Sequence, residues 1–109
     1  MSAGVEQMTE VELQDLVIEL AHLFGWRVAH FRPARTVDGW RTAVAADGAD
    51  WPDLTLVRDR IVFAELKSSR GKLHFQQRVW RDALTGAGAE HYLWSPADWD
   101  SGKVECVLR

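Results

Sequence analysis

Two apolar runs, 53–57 and 61–67, are separated only by Arg58, Asp59 and Arg60. So short a break between strand-like segments reads most simply as a hairpin. If Val57 pairs with Ile61 around that loop, Thr55 pairs with Phe63 and Asp53 with Glu65. Directly opposite residues have Cβ atoms about 4.5–5.5 Å apart. Two carboxylates at that spacing repel, so something must neutralise them. A divalent cation held by oxygen ligands would do so, and so would a shared proton. The side-chain period of a strand is two, so a one-residue slip would place the acids on opposite faces.

Lys67 lies two residues beyond Glu65 and projects from the same face. Beside two acids, a lysine can orient an attacking water or stabilise charge developing on a phosphate. The plainer alternative is a salt-bridged strand end with Lys67 in solvent.

The remaining chain supplies the layers around this hairpin. Residues 10–25 are predicted to be a helix. Thr9 and Glu12 form a capping box at its start, and Gly25 stops it. Glu12, Asp15, Glu19 and His22 share its polar arc, and Leu13, Leu16, Val17, Leu20, Ala21 and Phe24 its apolar side. Glu10 and Gln14 fall beside the apolar arc. Glu12 already serves the cap, which leaves Glu10 as the acid to reach the 53/65 site; serving the helix dipole is its alternative role. A strand is expected over 26–31. A long loop follows over 32–50, with a short strand around 40–44. A second helix is expected over 74–86 and a further strand over 91–95, with the tail 97–109 either a short helix or an edge strand. Gln77, at the edge of the second helix's apolar face, either supports the site or lies on the surface. The order of elements implies an α/β (α+β) domain with a mixed sheet flanked by helices.

Size and charge set bounds. The 109 residues suit one domain over 1–109, with 1–8 as a flexible lead. The chain is 47% hydrophobic with six tryptophans, enough for a core and too much for disorder. Trp80, Trp94 and Trp99 are expected in that core. A single cysteine, Cys106, excludes an internal disulfide, fits a reducing intracellular (cytoplasmic) setting and is expected to be a small buried apolar residue. No stretch approaches the ~20 apolar residues of a membrane span. The net charge of −3 argues against casual nucleic-acid binding. However, Lys67, Arg70, Lys72, Arg78 and Arg81 cluster in one stretch, and carboxylates holding a cation do not act as bare negative charges. The four histidines are scattered, so no Cys/His metal spacing exists. No phosphate-loop glycine pattern exists either. His30, ahead of Arg32 and Arg35, either belongs to a DNA-contacting edge or simply ends a strand.

Trp51-Pro52-Asp53-Leu54 followed by Ala64-Glu65-Leu66-Lys67 resembles the PD-(D/E)xK nuclease signature. Gly71-Lys72-Leu73 with Gln77 and Trp80 is similar to the corresponding block of the virus-type replication-repair nuclease (VRR-NUC) branch. So are Thr9-Glu10-x-x-Leu13-Gln14 with Gly25-Trp26, and Pro96 after Leu93-Trp94. The resemblance spans nearly all of 9–100. It implies a restriction-endonuclease-like core and Mg²⁺ or Mn²⁺ as cofactor. Asp53, Glu65 and the Leu66 carbonyl would be metal ligands, with Glu10 contacting the metal directly or through water. Lys67 would position the nucleophilic water, and Gln77 would support the site. Arg32, Arg35, Arg70, Lys72 and Arg78 are the candidate DNA contacts. Small stand-alone members of this branch are associated with phages and bacteria, and some resemble junction-resolving enzymes that act as dimers. The expected activity is therefore endonucleolytic cleavage of branched DNA, such as four-way junctions, by a homodimer. The alternatives are a nicking or restriction-type nuclease on ordinary duplex, a non-catalytic DNA-binding module, and a generic α/β interaction domain. One departure stands at Asp50-Trp51, where a glycine and a hydrophobic residue commonly precede the Pro-Asp.

Overall fold

The computed structural model describes residues 8–31, 34–37, 39–41, 44–69 and 71–109. Helix α1 spans Glu10–Leu23. Its start is fixed as the capping box requires. Thr9 N–H donates to Glu12 Oε1 and Glu12 N–H to Thr9 Oγ1, both at 3.0 Å. Leu13, Val17 and Ala21, spaced by four, form its buried stripe. Gly25, at φ +85°, turns the chain out of the helix in the left-handed conformation that glycine adopts without strain.

Strand β1 (Arg27–His30) follows. The segment expected as a long loop contains a two-stranded ribbon, β2 (Ala34–Thr36) and β3 (Gly39–Arg41), apart from the main sheet. The short strand expected around 40–44 is described at its start, in β3, where it has a partner, and 42–43 lie outside the described residues. Strands β4 (Leu54–Val57) and β5 (Ile61–Leu66) form the hairpin. Its register is Val57 to Ile61, Thr55 to Phe63 and Leu54 to Ala64, which sets Asp53 opposite Glu65 at the open end. Helix α2 (Phe75–Gly86) then crosses over to β6 (Glu90–Trp94). That crossover is what a parallel β5–β6 pair demands. The sheet order is β1-β4-β5-β6, antiparallel except for the last pair. This is the mixed sheet flanked by helices that the element order implied.

The two sheet faces differ in chemistry. Leu54, Leu56, Val62, Ala64 and Leu66 point to the face packed against α1 and the C-terminal helices, and join Leu13, Val17, Ala21, Trp26 and Trp94 in one core. Each fully buried leucine contributes roughly 1.5–3 kcal/mol. Thr55, Phe63 and Glu65 alternate to the other face.

The undecided tail forms two helices, α3 (Pro96–Asp100) and α4 (Lys103–Leu108). Val104 and Leu108 dock in the core. The hairpin loop holds the end of α4. Arg58 Nη1 donates to the carbonyls of Phe24 and Leu108, both at 3.1 Å, and Arg60 Nη2 donates to that of Val107 at 2.8 Å. Trp26 Nε1 donates to Leu108 O at 2.8 Å, and the Arg58 guanidinium stacks 4.5 Å from the Trp26 ring centroid. These cations meet the orphan carbonyls of a helix C-terminus. Cys106 is exposed, contrary to the expectation of burial. It lies two residues from both Val104 and Leu108, about 200° around the helix from each, and so faces away from the core.

Candidate active site

Asp53 and Glu65 meet where β4 begins and β5 ends. Asp53 N–H donates to Glu65 Oε1 at 2.8 Å, and Leu66 N–H donates to Asp53 Oδ2 at 2.7 Å. One oxygen of each carboxylate is therefore committed to a backbone amide. The other Glu65 oxygen, Oε2, is buried with no hydrogen-bond partner, on a side chain only 1% exposed. An unpaired polar atom in that position costs about 1–3 kcal/mol, and more if charged. Burial, and then the charge of Asp53, push the Glu65 carboxyl up to about 7, although the Asp53 N–H bond and the Lys67 charge act the other way. Burial also raises Asp53, opposed by the Leu66 N–H, Lys67 and His30.

Lys67 is buried, not in solvent. Its backbone N–H donates to Trp94 O at 3.0 Å, which ties it to the end of β6. It makes no direct ion pair with Asp53 or Glu65 among the described contacts, yet its charge acts on both. A salt-bridged strand end is thus not what the structure places here. Gly71 closes over the Lys67 stem: a Cβ added there would stand 2.8 Å from Lys67 Cβ.

Helix α2 covers this face of the sheet. Gln77 is buried, and its Oε1 accepts from His74 N–H at 2.8 Å, so its carbonyl end caps α2. Trp80 is half-buried; its indole N–H donates to Asp47 O (3.0 Å) and Ala49 O (3.2 Å), pinning the loop that leads into the site. Trp51 stands edge-on to both Phe63 (5.4 Å) and Trp80 (4.9 Å) and donates to Thr55 Oγ1 at 3.2 Å. Asp50 adopts φ +63°. The residue standing where a glycine is common thus takes the left-handed conformation, one that Asp tolerates better than most side chains.

His30 ends β1, one of its two expected roles, and it also contacts the site, with Nδ1 3.0 Å from Asp53 O. Nothing local in the sequence signals this, because it depends on β1 pairing with β4, His30 opposite Leu54. Glu10 is not brought to the site. It is exposed on the first turn of α1 and makes none of the described hydrogen bonds or ion pairs to Asp53 or Glu65, the position of a residue serving the helix dipole. Leu66 meets Asp53 through its N–H. Lys72 and Arg78 are exposed, and Arg78 is anchored by Leu73 O at 2.8 Å and by the Phe75 ring. Arg35 lies in β2, while Arg32 and Arg70 fall outside the described residues. Among the described residues no group of three or more His, Cys, Asp or Glu converges to hold a metal. No described helix is long and apolar enough to cross a membrane.

A mixed four-stranded sheet with helices on both sides carries an acid pair and a lysine at one end, an arrangement consistent with a restriction-endonuclease-like fold. A solved structure described as a VRR_NUC domain is similar to this chain, with a TM-score of 0.63 at 20% identity over 87% of this chain and 95% of the other. The chain has the VRR-NUC fold, in agreement with the motifs around Asp53, Glu65 and Gln77. No protein-family model and no curated protein matches the sequence.

Proposed function

We propose that this chain is a Mg²⁺- or Mn²⁺-dependent endodeoxyribonuclease that hydrolyses phosphodiester bonds in branched DNA. One observation carries the reading. The buried, partnerless Oε2 of Glu65 lies on the residue opposite Asp53, and a cation bound between the two would offset the cost of crowding their carboxylates. Mg²⁺ suits such a set, since it takes one or two carboxylates and fills its other positions with water and phosphate oxygens. Asp53 and Glu65 would hold the ion, with the Leu66 carbonyl as a further ligand. When bound, the ion supplies Lewis-acid stabilisation of charge on the phosphodiester and makes water more acidic.

The chain's own residues do the rest. Asp53 and Glu65 hold their geometry through backbone amides and need little rearrangement on loading. Lys67, buried and with no ion pair to a carboxylate among the described residues, would orient water or meet charge growing on the phosphate. Gln77 fixes the start of α2 above the site. Lys72 and Arg78 on the adjoining surface would contact phosphates, which gives affinity without sequence preference. So small a chain offers little surface to grip two DNA arms, so a homodimer is the form we expect to act on a junction.

The test is a cleavage panel of linear duplex, single strand, flap, fork and four-way junction with Mg²⁺, Mn²⁺ or chelator. Metal-dependent cutting of branched substrates that Asp53→Ala removes is the expected result. Equal cutting of plain duplex would favour a nicking or restriction-type enzyme, and cutting in chelator would overturn the reading. A monomer by light scattering, with and without DNA, would remove the dimer. The exposed position of Glu10 favours a second reading, a non-catalytic DNA-binding module on the same fold. DNA binding with no cleavage in any metal would select it.

A further inference from the structure

Three of the four polar atoms of Asp53 have a partner among the described residues, and three different groups hold them. Its N–H goes to Glu65 Oε1 at 2.8 Å and its Oδ2 receives the Leu66 N–H at 2.7 Å. Both of those partners belong to β5. The third, the backbone carbonyl oxygen, faces Nδ1 of His30 at 3.0 Å, on the far side of β4. A carbonyl oxygen can only accept, so His30 Nδ1 carries the proton and donates it.

We propose that His30 is a positioning residue for Asp53: from β1 it holds the Asp53 carbonyl, and so steadies the residue whose carboxylate would bind a divalent cation. The proposal rests on the metal-site reading of Asp53 and Glu65. Asp53 precedes β4, so its carbonyl lies outside the regular ladder, whose described pairing of β1 with β4 ends at His30 and Leu54. Without the imidazole, the Asp53 carbonyl has lost its described partner, and that peptide is held only from the Leu54 side, where Leu54 pairs with His30 and Ala64. The two bonds to β5 hold the N–H and the carboxylate, and His30 holds the remaining backbone atom, the carbonyl, from the other side. His30 is half-buried where β1 ends, so the bond is partly screened from competing water.

Hydrogen-bonded supports of metal ligands typically change metal affinity by 10–100-fold when removed. The test titrates Mn²⁺ alone into the full chain by calorimetry, well below the melting temperature. Wild type is compared with His30→Ala, His30→Asn and Asp53→Ala. His30→Ala should weaken Mn²⁺ binding by about 10-fold or more and lower kcat with KM for DNA unchanged. His30→Asn, whose amide N–H reaches close to the place of Nδ1, should restore most of both. Mn²⁺ affinity unchanged in His30→Ala while Asp53→Ala loses it would overturn the role of His30 and leave the metal site standing. Unchanged affinity in both variants would overturn the metal site itself. Equal loss in His30→Ala and His30→Asn, together with a common fall in melting temperature, would make His30 a packing residue and overturn the proposal.

Discussion

Gly71 and Lys67 are in contact along the stem of the lysine: the hydrogen that Gly71 carries in place of a side chain leaves the room that Lys67 Cβ, Cγ and Cδ occupy. An alanine methyl would sit 2.8 Å from Cβ, 3.3 Å from Cγ and 3.1 Å from Cδ. The turn that brings Gly71 back is closed by its N–H on Ser68 O at 2.9 Å. The glycine matters here for space, since its φ is not in the left-handed region.

Gly71→Ala should therefore displace the Lys67 ammonium without touching the acid pair. Misplacing a catalytic group by about 1 Å commonly lowers rates on the order of 100-fold. The expected outcome is a fall of about 10- to 100-fold in single-turnover cleavage, with Mn²⁺ affinity retained. Cleavage at the wild-type rate would mean that Lys67 has slack the structure does not show.

Glu65 makes the metal-free protein pH-dependent. Its folded-state value of about 7 lies above the ordinary 4.5. The contribution to stability is thus fully present below pH 4.5 and is lost as pH rises through about 7. Glu65→Gln removes this titration. Its melting temperature should gain on wild type between pH 5 and pH 8.5, by on the order of 10 °C. Mn²⁺ should close the gap in wild type and leave the variant unmoved. Parallel melting curves would show that Glu65 titrates normally.

His91 acts in the opposite sense. It sits opposite Phe63 in the β5–β6 register, and its Nε2 is buried without a partner. Burial, then the charge of Arg81, hold its pKa below the usual 6.5. The unfolded chain takes up this proton first. Stability is therefore present above pH 6.5 and is lost as pH falls through the depressed folded value. His91→Leu should lose less stability than wild type on going from pH 7 to pH 5, as read by denaturant midpoints. A difference that does not change with pH would count against a neutral buried imidazole.

Arg58→Ala should loosen the tail while sparing the site. The guanidinium bonds the carbonyls of Phe24, Leu108 and Arg109 and stacks on Trp26. The loss should be about 1–3 kcal/mol, reduced from the sum of the bonds because the group is partly exposed. Hydrogen exchange should rise first in 103–109, and metal affinity at low temperature should not change. Uniform protection in that segment would mean that Val104 and Leu108 hold it alone.

Much of the site was legible because strand periodicity and a three-residue loop leave few registers. Asp53 opposite Glu65, with Lys67 two residues on, follows from counting alone. The first helix was equally open, since Thr9 and Glu12 mark its start and Gly25 its end. What counting missed depends on contacts between distant segments. The tail became helical under clamps from Arg58, Arg60 and Trp26, about 50 to 80 residues away in sequence. His30 reaches Asp53 only once β1 lies beside β4. Glu10 was placed by a helical wheel, which gives direction around the axis but not distance from the sheet; the structure leaves it exposed.

The alternation of the hairpin has a consequence for variation in this chain. Between 53 and 67, even-numbered strand positions (54, 56, 62, 64, 66) build the core, while 53, 65 and 67 carry the polar groups of the site. A saturation scan that scores cellular abundance and enzymatic output separately should trace a comb. Even teeth should fail by degradation of the polypeptide, whereas replacements at 53, 65 and 67 should yield full-length, well-populated but silent protein.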